Sequence, residues 1–336
     1  MHKPHLTFFC ELERGALRDL LAEPNVVATL RALGAGVSLG LIDLSAERAK
    51  AVRALNAAGI PVTAWLLLPR EEGYWFNLDN APQAMARYAA FREWTAAFGL
   101  RWASVGLDVE TDIRDMDALL TRGWRALPRL ARRALQCERL RRGLILYRAL
   151  VERIRADEYP VESYQFPIIV DERRAGSTLL QRVLGVADLA VDREVLMLYS
   201  SFVSVGLLWS YARDAGAIGV GSTGGGVELA ARGELAALGW GAFARDLRLA
   251  ARRAGEVYIF SLEGCVRQGF LPLLLEFDWD APVGVPVTAA LRVDRVRAVL
   301  RGALWLSAHP GVIAAVLGAL VSAGWLVERL VTRRPG

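Results

Sequence analysis

The chain has 336 residues, 54% of them hydrophobic, and its 41 basic and 36 acidic side chains leave a net charge of +5. The charges are interspersed, with no basic stripe carrying aromatics between, which argues against a nucleic-acid partner. Three cysteines (Cys10, Cys137, Cys265) without a CxxC, and histidines confined to His2, His5 and His309, exclude a disulfide framework, a zinc cluster and His-based catalysis.

No long apolar run occupies the first 30 residues, which hold Glu11, Glu13, Arg14, Arg18 and Asp19, so no signal peptide is expected. Leu6–Leu12 reads as a first strand, with Thr7, Phe9, Glu11 and Glu13 on one face. A helix through Val26–Leu33 stops at Gly34. Val37–Asp43 is a second strand, and Ser45 is placed to cap a helix that Gly59 ends. The third strand, Val62–Leu68, runs into a loop with Tyr74 and Trp75. Asn80 is expected to cap the helix Ala81–Phe98, closed by Gly99.

The fourth strand carries the most information. Ala103, Val105, Leu107 and Val109 share one apolar face, while Ser104, Gly106, Asp108 and Glu110 share the other. A carboxylate buried without a partner is costly, so Asp108 and Glu110 must meet solvent, a partner or a substrate. A long helical region follows, broken near Pro128 and ending near Asp157. The remaining strands are expected at Ser163–Val170, Val195–Tyr199, Ala217–Val220 and Glu256–Leu262. The seventh opens into the glycine-rich Gly221–Gly226, and the eighth ends at Glu263.

Eight strand-like runs alternating with helical ones predict an α/β fold, a (β/α)8 TIM barrel over residues 1–278, in preference to a doubly wound open sheet. After a linker and basic segment, 279–302, no residue from Ala303 to Val327 is charged. Such a run is long enough to span a bilayer. Trp305 and Trp325 lie about 30 Å apart along a helix, as two interfacial aromatics would. Arg295, Arg297 and Arg301 precede the run, and residues 328–336 form a basic tail. Ala314, Gly318 and Ser322 offer a small-residue face for self-association. The expected location is the membrane, with the barrel on the cytoplasmic side.

Active sites of closed barrels lie at the strand C-termini. The residues delivered there are Glu11, Asp43, Asp108, Glu110, Gln165, Tyr199, Gly224 within the glycine loop, and Glu263, with Tyr74 and Trp75 on the third loop. Carboxylates, a tyrosine, an amide and aromatic faces make up the equipment of a glycan cleft.

Asp108-Val109-Glu110 resembles the D-x-E of the chitinase-like family 18 glycoside hydrolases, and also that of the family 25 lysozymes. Met197-Leu198-Tyr199 is similar to the M-x-Y of family 18. The resemblance implies a barrel hydrolase in which Glu110 is the general acid. Asp108 and Tyr199 would orient the substrate's N-acetyl group, whose amide acts as nucleophile. The chain departs from the family at Gly106 and Ala103, where aspartates are usual, at Ser200, and at Ser261-Leu262-Glu263, which lacks the usual Trp. Glu263 is a candidate second carboxylate; Glu11, Asp43, Tyr74, Trp75, Gln165 and Gly224 are candidate substrate contacts. Neither metal nor cofactor is expected. The alternatives are a non-catalytic anchored barrel that binds glycan or protein, and a phosphosugar or phospholipid-headgroup enzyme using Gly221–Gly226.

Overall fold

Eight short parallel strands close on themselves in chain order: β1 (His5–Cys10), β2 (Gly36–Leu41), β3 (Val62–Leu66), β4 (Ser104–Asp108), β5 (Val161–Gln165), β6 (Arg193–Met197), β7 (Ala217–Gly221) and β8 (Glu256–Phe260), with β1 paired to β8. The structure is a computed structural model that describes residues 3–122, 127–202, 204–226 and 237–312. The sheet is the closed barrel expected, and the open-sheet alternative is set aside.

The two faces of each strand serve different cores. Val105, Leu107 and Val109 point outward into the layer between strands and helices, the main hydrophobic core. The other face lines the barrel interior, where Phe9, Trp65, Tyr164 and Tyr258 form a second cluster. Beneath that cluster Glu162 is 1% exposed. It accepts hydrogen bonds from Ser104 Oγ (2.8 Å), Tyr258 Oη (2.9 Å) and Arg193 Nη1 (2.7 Å). This floor is a buried charge with its partners supplied, the condition under which burial is tolerated.

Local signals placed most elements. Ser45 Oγ accepts the Arg48 N–H at 3.2 Å, a cap worth about 1 kcal/mol. Gly34 and Gly99 end their helices at φ 64° and 60°, in the left-handed region glycine enters without strain. Asn80 differs from expectation: its side chain makes no capping bond. It donates to Glu72 O and Trp75 O and accepts from Asn77 N, so it holds the third loop together.

The fifth strand begins two residues earlier than expected and stops at Gln165, because Pro167 opens a helix, Ile168–Ala175. The apolar Ile168-Ile169-Val170 that imitates a strand is the start of that helix. The long region after β4 resolves into helices Ile113–Arg122, Leu127–Arg133 and Cys137–Ala156. Only the last occupies the place of a barrel helix between β4 and β5. The surplus is pinned by an Asp115–Arg133 ion pair at 2.6 Å, both side chains largely buried.

Residues 279–302, expected as a linker, contain most of a helix, Val287–Ala308, here called the flank helix. It crosses the helices Ile168–Ala175 and Val205–Tyr211 on the barrel's outside. Arg297, expected beside a membrane, is 1% exposed. Its guanidinium binds Asp171 at 3.0 Å and Asp214 at 2.6 Å, and Arg301 reaches Asp171 at 3.3 Å. Among the described residues no helix is long and apolar enough to cross a membrane. The run 303–327 lies outside the described residues from 313 onward, as do Ala314, Gly318 and Ser322.

Candidate active site

Period-two alternation carries the inner face of β4 upward from Ser104 through Gly106 and Asp108 to Glu110. Gly106 is required by its neighbour: a Cβ there would lie 2.3 Å from Tyr164 Oη. The tyrosine crosses the barrel at this level, hydrogen bonded to Ser38 Oγ at 2.6 Å, with its ring edge-on to Phe9 at 4.8 Å. An aromatic platform contributed from β5 thus fills the space beside position 106.

Asp108 stands above that platform and is 3% exposed. Its Oδ2 accepts the Trp65 indole N–H at 3.1 Å, and its Oδ1 is buried with no hydrogen-bond partner. Burial, followed by the charge of Glu110, pushes Asp108 well above the usual carboxylate range. Glu110 is half-buried at the mouth. Burial raises it too, the adjacent Asp108 carboxyl works the other way, and the charge of Glu11 reinforces the rise. The two carboxyls titrate as a pair, so one proton is retained where isolated carboxyls would have lost both.

The backbone under the pair is fixed from the neighbouring loop. Phe76 N–H donates to Asp108 O (2.9 Å), and Glu110 N–H donates to Phe76 O (3.0 Å), a parallel bridge that extends β4 by one step. In the same loop Tyr74 adopts φ 65°, strained for a bulky residue by about 1–3 kcal/mol. Its hydroxyl donates to Glu11 Oε1 at 2.6 Å, and its ring meets Trp75 edge-on at 5.5 Å. Burial and the Glu11 charge raise the Tyr74 phenol far above its ordinary value. Both aromatics are therefore buried in the wall of the mouth, with Tyr74 committed to Glu11.

Tyr199 lies on the far wall between Phe202 (5.4 Å) and Phe260 (5.7 Å). Burial raises its phenol, and the charges of Asp108, Glu110 and Glu11 push it further, which places all three acids around it. Glu263 sits in the short helix Leu262–Arg267 and is 4% exposed. Its Oε1 accepts the Glu11 N–H at 3.4 Å, its Oε2 is buried without a partner, and burial raises its carboxyl. The structure thus gathers Glu11, Asp108, Glu110, Tyr74, Trp75, Tyr199 and Glu263 at one mouth.

Three expected substrate contacts do not belong to that group. Asp43 faces the helix after β2, bonded to Ser45 N (3.0 Å) and Arg48 Nη2 (3.0 Å). Burial works to raise its carboxyl, but those bonds hold it below the ordinary value. Gln165 is on the outward face of β5 and donates to Ala187 O at 3.1 Å. Gly224 N–H donates to Ser222 Oγ and its carbonyl accepts from Ser261 Oγ, so its polar groups serve the loop itself. The same holds for the phosphate reading of Gly221–Gly226. Ser222 N donates to Ser201 Oγ and Thr223 N to Phe260 O, while Glu263 and Glu11 crowd Gly225 and Gly226. Amides already used, beside carboxylates, make a poor cradle for an anion.

Trp65, Tyr164 and Tyr258 build the platform together with Phe9, which shares the inner face of β1 with Glu11. Thr63-x-Trp65-x-Leu67 on the inner face of β3 carries the same alternation that singled out β4. Tyr164 lies within the expected fifth strand, Ser163–Val170, on the face opposite Gln165.

A parallel (β/α)8 barrel whose interior faces a carboxylate-lined mouth defines the molecule's class. No family model matches the chain, and no curated protein matches it. Solved structures similar to it include a family 18 chitinase from Pseudoalteromonas aurantia, at 10% identity and TM-score 0.47, covering 82% of this chain and all of that one. ScGas2 matches at 14% identity and TM-score 0.39, covering 76% of this chain and 55% of that one. A D-allulose 3-epimerase from Methylomonas sp. matches at 10% identity and TM-score 0.40, covering 88% and 99%. At these identities the likeness concerns the fold.

Proposed function

We propose that the barrel cleaves a glycan by acid catalysis from Glu110. The observation that carries this reading is the Asp108–Glu110 pair: two adjacent carboxyls at the mouth, both raised by burial, the half-buried Glu110 open to substrate and the buried Asp108 with an unpartnered oxygen. Glu110 gives its proton to the glycosidic oxygen as the bond to the anomeric carbon breaks. Following the family resemblance, the substrate's own amide oxygen closes on that carbon, with Asp108 Oδ1 taking the amide N–H and Tyr199 orienting the group. Water then opens the cyclic intermediate and the proton returns to Glu110. The charge of Glu11 beside Glu110 raises its carboxyl and so helps it hold the proton.

Glu110→Gln is expected to lower turnover of a responsive glycan by about 10²–10⁴-fold while leaving the melting temperature within a few degrees. A wild-type rate in the variant would falsify the assignment. One observation favours a second reading, a barrel that binds glycan without cleaving it: Tyr164 occupies the level where the resembled family carries a further aspartate. That reading predicts saturable binding, no turnover, and only an affinity change in Glu110→Gln. Residues 303–327 are proposed to tether the barrel to a membrane; release of the full chain from membranes by alkaline carbonate would count against this.

A further inference from the structure

The flank helix is divided lengthwise. Ala290, Arg297 and Leu304 face the barrel and are buried. The opposite stripe exposes Val296 (67%), Val299 (74%) and Leu306 (43%), with Leu291 and Trp305 alongside. Exposed apolar residues scattered singly are ordinary; a row on one helical face is not. Arg292 and Arg295 lie on the same stripe, exposed, and neither forms an ion pair within the described residues. Arg297 and Arg301, one turn further, are consumed by Asp171 and Asp214. The helix therefore presents apolar side chains, two uncommitted guanidinium groups and a tryptophan outward, the composition of a helix lying in a membrane interface.

The helix also ends where such a placement requires. Ala308 is its last residue, and His309 leaves the helical region at φ −124°, ψ 63°, as a residue before proline is pushed to do. The flank helix thus stops two residues before the uncharged stretch that begins at Gly311. The remaining uncharged run, 311–327, sits at the lower limit of about 17 residues for a spanning segment.

We propose that the outward face of the flank helix docks on an anionic bilayer surface, so that the barrel is held on its flank. The proposal rests on the membrane reading of 303–327 and extends it. Val296, Val299 and Leu306 enter the interface, Arg292 and Arg295 meet lipid phosphates, and Trp305 lies at headgroup level. Arg297 ties the docked helix to the barrel.

The test uses the full chain with Cys137→Ser, since Cys10 and Cys265 are buried. An environment-sensitive fluorophore is placed on Val299→Cys, and in a control on Lys50→Cys in the exposed face of the helix Ala46–Ala57, across the barrel. Vesicles are phosphatidylcholine alone or with about one-third phosphatidylglycerol, to supply the anionic surface that attracts juxtamembrane arginines. The expected result is a blue shift and brominated-lipid quenching at 299 in the anionic vesicles, with no change at 50. Arg292→Glu with Arg295→Glu should remove the shift while the protein still floats with vesicles. Flotation with the label at 299 left in water overturns the docking and keeps the tether. Absence of flotation overturns both. A shift without lipid that grows with protein concentration assigns the face to a second copy and also overturns the proposal.

Discussion

The barrel buries carboxylates at both ends, and the two ends treat them differently. At the floor, Glu162 accepts hydrogen bonds from Ser104, Tyr258 and Arg193, the last also an ion pair. At the mouth, Asp108 Oδ1 and Glu263 Oε2 are buried without partners, and Glu110 stands beside another acid. Burial with partners is what a fold needs for stability; burial without them raises pKa values and leaves acceptors free, which a reaction can use. The same residue type, in the same barrel, is fully partnered at one end and left with free acceptors at the other.

The contrast can be broken most forcefully at the floor. Glu162→Ala leaves the buried Ser104 and Tyr258 hydroxyls without their acceptor, which should cost about 1–3 kcal/mol for each in a denaturant titration, while Arg193, 39% exposed, keeps Glu256. A loss below about 1 kcal/mol, the level of an ordinary surface pair, would make the floor no different from the rim. Gly106→Ala comes next. Its methyl collides with Tyr164 Oη, and overpacking of this kind costs about 1–3 kcal/mol. Tyr164→Phe in the same chain should recover part of it, which thermal melts of single and double variants will measure.

The mouth predicts a pH dependence. Carboxyls raised in the folded state hold protons that the unfolded chain has released, so stability is fully present below the unfolded pKa and falls as pH rises through the folded one. The slope approaches about 1.4 kcal/mol per pH unit for each retained proton. Asp108→Asn with Glu110→Gln should flatten the part of the curve above the ordinary carboxylate range, whereas substitutions at Asp43, whose carboxyl is lowered, should not. The smallest effect belongs to Asp108→Asn alone: removing a buried, poorly partnered carboxyl should leave stability within about 1 kcal/mol of wild type or raise it. A large loss there would mean that Asp108 is held by the fold after all.

The parts legible in the sequence were those set by local rules. Alternation on β4 separated its greasy outer face from the inner one that carries Asp108 and Glu110, and Ser45, Gly34 and Gly99 marked helix ends. What stayed hidden depended on the partner across the barrel. Asp43 and Asp108 look alike as strand-end acids, yet Arg48 claims one and nothing claims the other's Oδ1. Gln165 and Tyr164 are adjacent on β5 and so face opposite ways, and which of the two looks inward is set by the neighbouring strands, not by the segment itself. The Asn80 side chain resembled a cap because its competing partners, Glu72 O and Trp75 O, become neighbours only when the loop folds back.

The bridge between Phe76 and Val109 bears on how this molecule can change. Barrel enzymes diversify by swapping the loop of one βα unit while the others stay put. Here the loop from the third unit supplies both main-chain bonds that seat the acids of the fourth. A transplanted loop would have to bring its own residue 76 to the same spot, and an acid pair moved elsewhere would arrive without its seat. Loop and acids therefore form one structural unit spanning two repeats.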